Sequence, residues 1–238
     1  MSAPEKIGAF FDLDGTVVAP PSLEWRFVAY LLARDQLRTR DIARWLAYFA
    51  KRIAFDPRAA VWGNKHYLAS LRESLAAEWE QSLAENPLRI YPAAIDRMVW
   101  HRRHHHRVLL VSGTLGFLAS AVAPRLPGPV EVRATELETC GGCWTGGLIG
   151  EHMSGEAKAA AVRELAARLG LSLWESYAYA DSVSDLPMLD AVGHRMAVNS
   201  EPRLRRIARN EGWPVCDWTE PRSASTPATQ PLATKAAR

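Results

Sequence analysis

The chain has 238 residues, and its 29 Lys and Arg against 26 Asp and Glu give a formal net charge of +3. So small a charge does not indicate a nucleic-acid-binding surface, and three cysteines do not describe a disulfide-rich secreted scaffold. Because no run approaches about 18 apolar residues and no apolar signal segment is visible, we predict a cytoplasmic protein without stable membrane insertion. Peripheral membrane contact stays open, and the oligomeric state is not predicted.

The first predicted element is a strand over residues 7–11 that ends at two carboxylates. Its apolar run is typical of a central strand buried on both faces. Asp12 and Asp14 follow in the sequence FFDLDGTVV, which continues through Gly15 and Thr16. An Asp at a strand end more often forms a turn than a catalytic site, so this pair alone indicates no function.

Residues 20–90 are predicted to form an all-helical insert with prolines at both flanks. Apolar residues recur at helical spacing over residues 23–33, 39–55 and about 59–83. Tryptophans of the insert are Trp25, Trp45, Trp62 and Trp79. We expect most of them in the core of the insert, with lining of an apolar substrate pocket or contact with a membrane surface as the alternative.

After the insert, short apolar runs alternate with helical patterns. Strands are predicted at residues 107–112, 130–134, 177–181 and 195–198, and a helix at 155–169 that stops at Gly170. This alternation predicts an α/β fold with a doubly wound parallel sheet. The core should comprise residues 1–19 and 91–218, the helical cap residues 20–90, and a disordered tail residues 219–238.

Two motifs invite metal or redox interpretations. The sequence HRRHHHR at 101–107 could bind a metal, but we expect it to end an amphipathic helix at about 93–100, where cations are favourable. Cys140 and Cys143 form CGGC, which could be redox-active or half a zinc site. No second cysteine pair exists, so a hairpin turn is the preferred interpretation.

Polar residues at three strand ends should meet at one edge of the sheet, because ligands of open α/β sheets bind beyond the carboxyl ends of the strands. Asp12 closes the first strand, Ser112 with Gly113 the second, and Asp181 a later one. The SGT sequence at 112–114 is expected to open a helix whose backbone N–H groups bind an anion.

Charged residues complete this predicted site. Lys158 lies near the start of the helix that follows Gly155, and Asp185 stands four residues after Asp181. Carboxylates held together repel each other unless a divalent cation joins them, and oxygen-only ligands favour Mg²⁺. We therefore predict a magnesium site with a lysine beside it.

These residue types indicate phosphoryl transfer to water. Asp12 would be the nucleophile and form an aspartyl-phosphate. Asp14 would protonate the leaving oxygen and then take a proton from the attacking water. Mg²⁺, Lys158, Ser112 and backbone N–H groups would offset the charge of the phosphate. The prediction is a Mg²⁺-dependent phosphomonoesterase for a small phosphorylated metabolite.

DLDGT, SGT at 112–114, Lys158 and the carboxylates of DSVSD resemble, in this order, the four motifs of the haloacid dehalogenase-like (HAD) hydrolase superfamily. A helical cap between the first two motifs resembles the phosphoserine-phosphatase-like branch. The resemblance implies a Rossmann-like core, a mobile cap, and Mg²⁺ held by Asp12, the backbone carbonyl of Asp14, and Asp181, with Asp185 supporting the site. Phosphate-binding residues implied are Gly15, Thr16, Ser112, Gly113 and Lys158.

The substrate is left open by this resemblance. Phosphoserine phosphatases carry a Glu nine residues after the nucleophile, where this chain has Pro21 and its nearest acid is Glu24, which argues against phosphoserine. Candidates are a phosphorylated amino acid or amino alcohol such as phosphoserine or histidinol phosphate, a sugar phosphate, and a lipid phosphate headgroup. DSVSD differs from the usual DGxND only between its carboxylates, so activity should survive.

Two other functions are alternatives to hydrolysis of a phosphate ester. A dehalogenase needs neither a metal nor a second acid, and the carboxylates of Asp14, Asp181 and Asp185 speak against it. A phospho-accepting regulatory module is the non-enzyme alternative. Such modules are shorter, carry no cap after the first motif and place the accepting Asp on a later strand.

Overall fold

The computed structural model describes residues 6–37, 43 and 65–219. Its strands are β1 (Gly8–Phe11), β2 (Arg107–Leu115), β3 (Glu131–Cys140), β4 (Cys143–Ile149), β5 (Tyr177–Ala180), β6 (His194–Val198) and β7 (Val215–Cys216). They form one sheet in the order β4–β3–β2–β1–β5–β6–β7. Neighbouring strands are parallel except β3 and β4, which form an antiparallel hairpin. The predicted α/β fold with a mostly parallel sheet is confirmed.

Helices cover both faces of this sheet. They are α1 (Leu23–Ala33), α2 (Leu75–Ser82), α3 (Pro92–Arg103), α4 (Gly116–Val122), α5 (Glu156–Leu169), α6 (Leu186–Asp190) and α7 (Pro202–Asn210). Phe11 points into the cluster that contains α1, α3 and α4, whereas Phe10 points into the cluster that contains α5, α6 and α7. Successive side chains of β1 are therefore buried on opposite faces, which explains its unbroken apolar run. Within the described ranges, no helix combines the length and apolar character needed to cross a bilayer.

Glycines end two of the predicted elements. Helix α5 stops at Gly170, whose φ of 65° is left-handed. The CGGC sequence forms the turn between β3 and β4, with φ of 59° at Gly141 and 77° at Gly142. Two successive residues at positive φ are what a two-residue hairpin turn requires. The hairpin interpretation of the two cysteines is confirmed.

The prediction of an all-helical insert is only partly correct. Helix α1 has the predicted bounds. Apart from residue 43, the predicted helix at 39–55 lies outside the described residues, as do Trp45, Trp62 and the tail beyond 219. Within its described part, the helix predicted from about 59 to 83 is confirmed over Leu75–Ser82 and is wrong for the residues before it. A 3₁₀ turn at His66–Leu68 precedes a non-helical segment, and α2 begins only at Leu75. The backbone of Ser70 and Leu71 instead exchanges hydrogen bonds with Trp144 of β4, and this pairing replaces the helix.

The histidine-rich sequence ends α3, as predicted, but its first histidine has a structural role that the sequence did not reveal. His101 is fully buried, its Nε2 lies 2.7 Å from the Tyr179 hydroxyl, and its Nδ1 lies 2.9 Å from Nδ1 of His106. Burial, and then the nearby His106, lowers the pKa of His101 to about 2. His101 is therefore a neutral link between α3 and β5.

We expect His101 to make folding stability pH-dependent. Between its unfolded pKa of about 6.5 and its folded pKa, the unfolded chain binds one proton more than the folded protein, so this site lowers the unfolding free energy by up to about 1.4 kcal/mol for each unit of falling pH. His101→Gln removes that titration. Urea unfolding at a series of pH values from about 6 to 4 should show a shallower loss of stability in the variant than in wild type. Exposed His104→Gln is the matched control, and equal slopes for wild type and His101→Gln would contradict the assignment.

Candidate active site

A cavity of about 710 Å³ opens beyond the carboxyl ends of β1, β2 and β5. Its lining includes the predicted site residues Asp12, Asp14, Ser112, Gly113, Lys158, Asp181 and Asp185. Parallel topology thus brings together residues about 100 and 170 positions apart in the chain. Of the predicted phosphate-binding residues, Gly15 and Thr16 are not part of the lining described for this cavity.

Lys158 is the buried cation at the polar end of the cavity. Its Nζ lies 2.5 Å from Oδ1 of Asp12 and 2.7 Å from Oδ1 of Asp185, and all three residues are almost completely buried. Burial alone would lower the pKa of Lys158, but the two carboxylates outweigh it and raise that pKa, so the lysine is charged. Burial also raises the pKa of Asp12, which Lys158 opposes. The lysine therefore stabilises the anionic form of the predicted nucleophile.

Three carboxylates at this end could hold a cation. Ligand oxygens of Asp12, Asp181 and Asp185 all lie within 4.8 Å of one another. Burial, followed by repulsion from Asp185, raises the pKa of Asp181 to about 7. One lysine does not neutralise three carboxylates, of which Asp12 and Asp185 are buried and Asp181 is partly buried, and oxygen-only ligands suit a hard divalent ion such as Mg²⁺. The residues present therefore fit the metal that the sequence predicts.

The turn after Asp14 depends on Gly15. This residue has a φ of 82°, and a Cβ built there would collide with the Asp181 carboxylate. The Nδ2 of Asn199 donates a hydrogen bond of 2.9 Å to the Gly15 carbonyl, while Oδ1 of Asn199 accepts one from the Trp218 N–H. Gly15 thus allows the first and last motifs to approach closely, and Asn199 is a supporting residue that the sequence reasoning missed.

Asp14 connects the polar end of the cavity to α1. Its Oδ1 accepts a hydrogen bond of 2.8 Å from the N–H of Leu23, the first residue of that helix. Burial raises the pKa of Asp14 to about 6, although the Leu23 hydrogen bond acts in the opposite direction. The helix start therefore sets the orientation of the second aspartate.

Ser112 and Gly113 lie where the second motif was expected, but their local structure differs from the prediction. They do not open a helix, because β2 continues to Leu115 and α4 begins only at Gly116. The register between β2 and β3 shifts between Val111 and Leu115, which marks this segment as irregular. The Thr135 hydroxyl donates a hydrogen bond of 2.8 Å to the Gly113 carbonyl and so holds the segment in place.

Further residues of the cavity lining were largely missed by the sequence reasoning. The apolar ones, which form an apolar wall, are Trp25, Val28, Leu32 and Leu37. The polar ones include Glu24, Lys65, Tyr67 and His152, and the imidazole of His152 lies beside Gly113. Trp79, in contrast, is buried in the core. Of the two tryptophans of the insert that the structure describes, Trp25 matches the alternative that a tryptophan lines an apolar pocket. The helical spacing of Trp25, Val28 and Leu32 was a signal that could have found this wall.

Comparison with known proteins supports the assignment. The family model described as haloacid dehalogenase-like hydrolase matches residues 9–190. "Phosphoserine phosphatase SerB1" of Mycobacterium tuberculosis is 35% identical over 229 residues, which cover 91% of this chain and 72% of that protein. "Histidinol-phosphatase" of Neisseria meningitidis is 31% identical over 219 residues, with 88% and 98% covered.

A solved structure agrees with these sequence matches. A protein of unknown function from Bordetella pertussis superimposes with a TM-score of 0.74 at 27% identity, covering 90% of this chain and 99% of that one. The family match spans β1 to α6 and includes each residue of the buried cluster around Lys158. The chain therefore belongs to the haloacid dehalogenase-like hydrolase family and is one of its phosphoric monoester hydrolases.

Proposed function

We propose that this protein is a Mg²⁺-dependent phosphomonoesterase that hydrolyses a small phosphorylated metabolite through an aspartyl-phosphate on Asp12. The observation that carries this proposal is the contact of Lys158 with both Asp12 and Asp185 at the polar end of one cavity. A phosphate monoester bound there meets a nucleophile, a fixed positive charge and a second acid. We also propose the division into a core (residues 1–19 and 91–218) and a cap (residues 20–90).

Asp12 begins the reaction by attack on phosphorus. Its backbone N–H donates a hydrogen bond of 2.9 Å to the Tyr179 carbonyl, so the strand pairing of β1 and β5 holds the residue in position. Lys158 and the hydroxyl of Ser112 compensate the charge that builds on the phosphate oxygens. As the bond from phosphorus to the ester oxygen breaks, the carboxyl of Asp14 gives its proton to that oxygen.

Asp14 then acts as a base in the second half of the reaction. It takes a proton from a water molecule that attacks the phosphorus of the aspartyl-phosphate. The bond between phosphorus and the Asp12 oxygen breaks, which releases inorganic phosphate and restores the carboxylate. The hydrogen bond from the Leu23 N–H keeps Asp14 aimed at this position in both halves.

The metal would be held by Asp12, the backbone carbonyl of Asp14, and Asp181, with Asp185 supporting the site. When bound, Mg²⁺ supplies positive charge that reduces repulsion between the carboxylates and the phosphate. Asp185 contacts Lys158 and therefore also sets the position of the lysine beside the nucleophile.

Removal of divalent cations tests this proposal. Protein treated with a chelator should release no phosphate from p-nitrophenyl phosphate, and added Mg²⁺ should restore the activity. Ca²⁺ should restore much less, because it prefers more ligands at longer distances than Mg²⁺. Full activity after exhaustive chelation would rule out the metal-dependent mechanism.

A further inference from the structure

Helix α1 carries two apolar faces, although packing against a core requires only one. The first face is buried in the core and consists of Leu23, Phe27 and Leu31. The second consists of Trp25, Val28 and Leu32, which are three and four residues apart and therefore lie on one side of the helix. This second face lines the active-site cavity. Val28 also packs against the core, but among the described residues core packing does not account for Trp25 and Leu32.

The second face is accessible from the cavity. Trp25 is 68% exposed and Leu32 is 49% exposed, although both are large apolar residues. At a rise of about 1.5 Å per residue, the wall from Trp25 to Leu32 is about 10 Å long. Large apolar side chains gathered on a cavity wall mark a ligand surface. A hydrocarbon group of similar length would remove them from water.

Glu24, which precedes Trp25 on α1, already has charged and polar partners. The Nζ of Lys65 lies 2.6 Å from both carboxylate oxygens of Glu24, and the Tyr67 hydroxyl donates a hydrogen bond of 2.7 Å to Oε1. Lys65 is 4% exposed, whereas the Glu24 side chain is 26% exposed, so the lysine end of the ion pair is shielded from water and the carboxylate end is partly accessible. The protein itself thus supplies the ammonium group that an amino acid or amino alcohol ester would bring to Glu24.

The neighbouring titratable groups add no charge to this wall. Burial, and then Glu24, raises the pKa of Tyr67, so its hydroxyl keeps its proton. Burial, and then Lys65, lowers the pKa of His152 to about 4, which leaves that imidazole neutral near pH 7. Together, Glu24, Lys65, Tyr67 and His152 offer no net charge to a ligand.

We propose that the substrate is the phosphate monoester of an unbranched apolar alcohol without an ammonium group, and that its hydrocarbon chain lies along Trp25, Val28 and Leu32. This inference rests on the proposed phosphatase function and names its substrate class. In the reaction, the bond from phosphorus to the alcohol oxygen breaks and Asp14 protonates that oxygen. The attacking water supplies the oxygen that leaves with inorganic phosphate. One of its protons is taken up by Asp14, which restores the acid for the next reaction.

A series of alkyl phosphates tests the inference. Phosphate release with Mg²⁺ is measured for ethyl, butyl, hexyl and octyl phosphate, each below the concentration at which it forms micelles. We expect kcat/KM to rise about twofold to fourfold for each added methylene, since a fully buried methylene contributes about 0.8 kcal/mol. Propyl phosphate and 2-aminoethyl phosphate form a pair of similar size, and the propyl ester should react at least about tenfold faster because burial of an unpaired ammonium is costly.

Matched variants connect the chain-length effect to α1. Trp25→Ala and Leu32→Gln should reduce the octyl-to-ethyl ratio of kcat/KM, because they remove apolar surface from the cavity. Trp174→Ala and Ile149→Gln replace exposed residues of comparable size that do not line the cavity, and these variants should keep the wild-type ratio. Lys65→Met removes the ammonium group that is paired with Glu24. In this variant, the ratio of kcat/KM for propyl phosphate to that for 2-aminoethyl phosphate should be smaller than in wild type.

The possible outcomes separate the two proposals. Release of phosphate without dependence on chain length, or faster release from 2-aminoethyl phosphate, overturns the substrate inference and leaves the phosphatase proposal standing. Equal chain-length ratios in Leu32→Gln and Ile149→Gln likewise overturn the assignment of the binding wall. Failure to release phosphate from every ester, including p-nitrophenyl phosphate, overturns the proposed function and the inference with it.

Discussion

Replacement of Asp12 by Asn is expected to reduce kcat for phosphate release by at least about 10⁴-fold, because an amide cannot form the aspartyl-phosphate. Asn has almost the same shape, and Lys158 keeps its contact with Asp185, so the variant should fold. Phosphate release from p-nitrophenyl phosphate at saturating Mg²⁺ measures the loss. Acid-quenched wild-type protein should carry phosphate on the peptide that contains Asp12, and the variant should not.

The matched control for this experiment is Asp217→Asn, which changes an exposed aspartate away from the cavity. It should keep wild-type kcat. Activity of Asp12→Asn within tenfold of wild type, confirmed on freshly prepared protein to exclude deamidation, would remove Asp12 as the nucleophile. The same conclusion would follow if phosphate were trapped on another residue.

Replacement of Lys158 by Met is expected to damage both stability and catalysis. In metal-free protein it removes the cation between Asp12 and Asp185, and loss of one partner from a buried ion pair typically costs about 3–5 kcal/mol of unfolding free energy. We expect Mg²⁺ to recover part of this loss, since it places positive charge among the same carboxylates. At saturating Mg²⁺, kcat should still fall by about 10²–10³-fold because the lysine no longer stabilises charge on the phosphate.

Urea unfolding with chelator and with Mg²⁺ measures the stability effect. Lys6→Met changes an exposed lysine and should leave the unfolding free energy within about 0.5 kcal/mol of wild type. Lys158→Arg keeps the charge and should be less destabilised than Lys158→Met, in spite of its greater bulk. Equal stability of Lys158→Met and wild type in chelator would show that the lysine does not neutralise the buried carboxylates.

Much of the fold and of the polar end of the site could be predicted because the relevant signals are local. The apolar run of β1 ends at Asp12, the pattern of α5 stops at Gly170, and both features depend on residues within a few positions. Parallel pairing then places strand ends at one edge, which is a general rule of this topology. The convergence of Asp12, Ser112 and Asp181 followed from that rule without knowledge of any contact.

The errors arose where distant parts of the chain compete with local preference. Ser70 and Leu71 belong to a stretch with helical spacing, but they pair with Trp144 more than 70 residues later. The SGT segment has no local signal for the shifted register that delays α4 to Gly116. Phosphate binding by Gly15 stays a prediction, and the structure adds a role that the sequence did not reveal, since the absence of a side chain lets the Asp181 carboxylate approach the turn.

The sequence by itself determined the chemistry proposed for this protein, since the proposed nucleophile, acid, lysine and metal ligands follow from residue type and motif order. Only the tertiary structure decided which side chains line the cavity around those proposed groups. Glu24 and Lys65 are 41 positions apart and form their ion pair through folding alone. The second apolar face of α1 could be recognised as part of the cavity lining only from the structure, which buries the first face in the core and places the second beside the cavity. Substrate choice depends on such long-range packing, which no local pattern encodes.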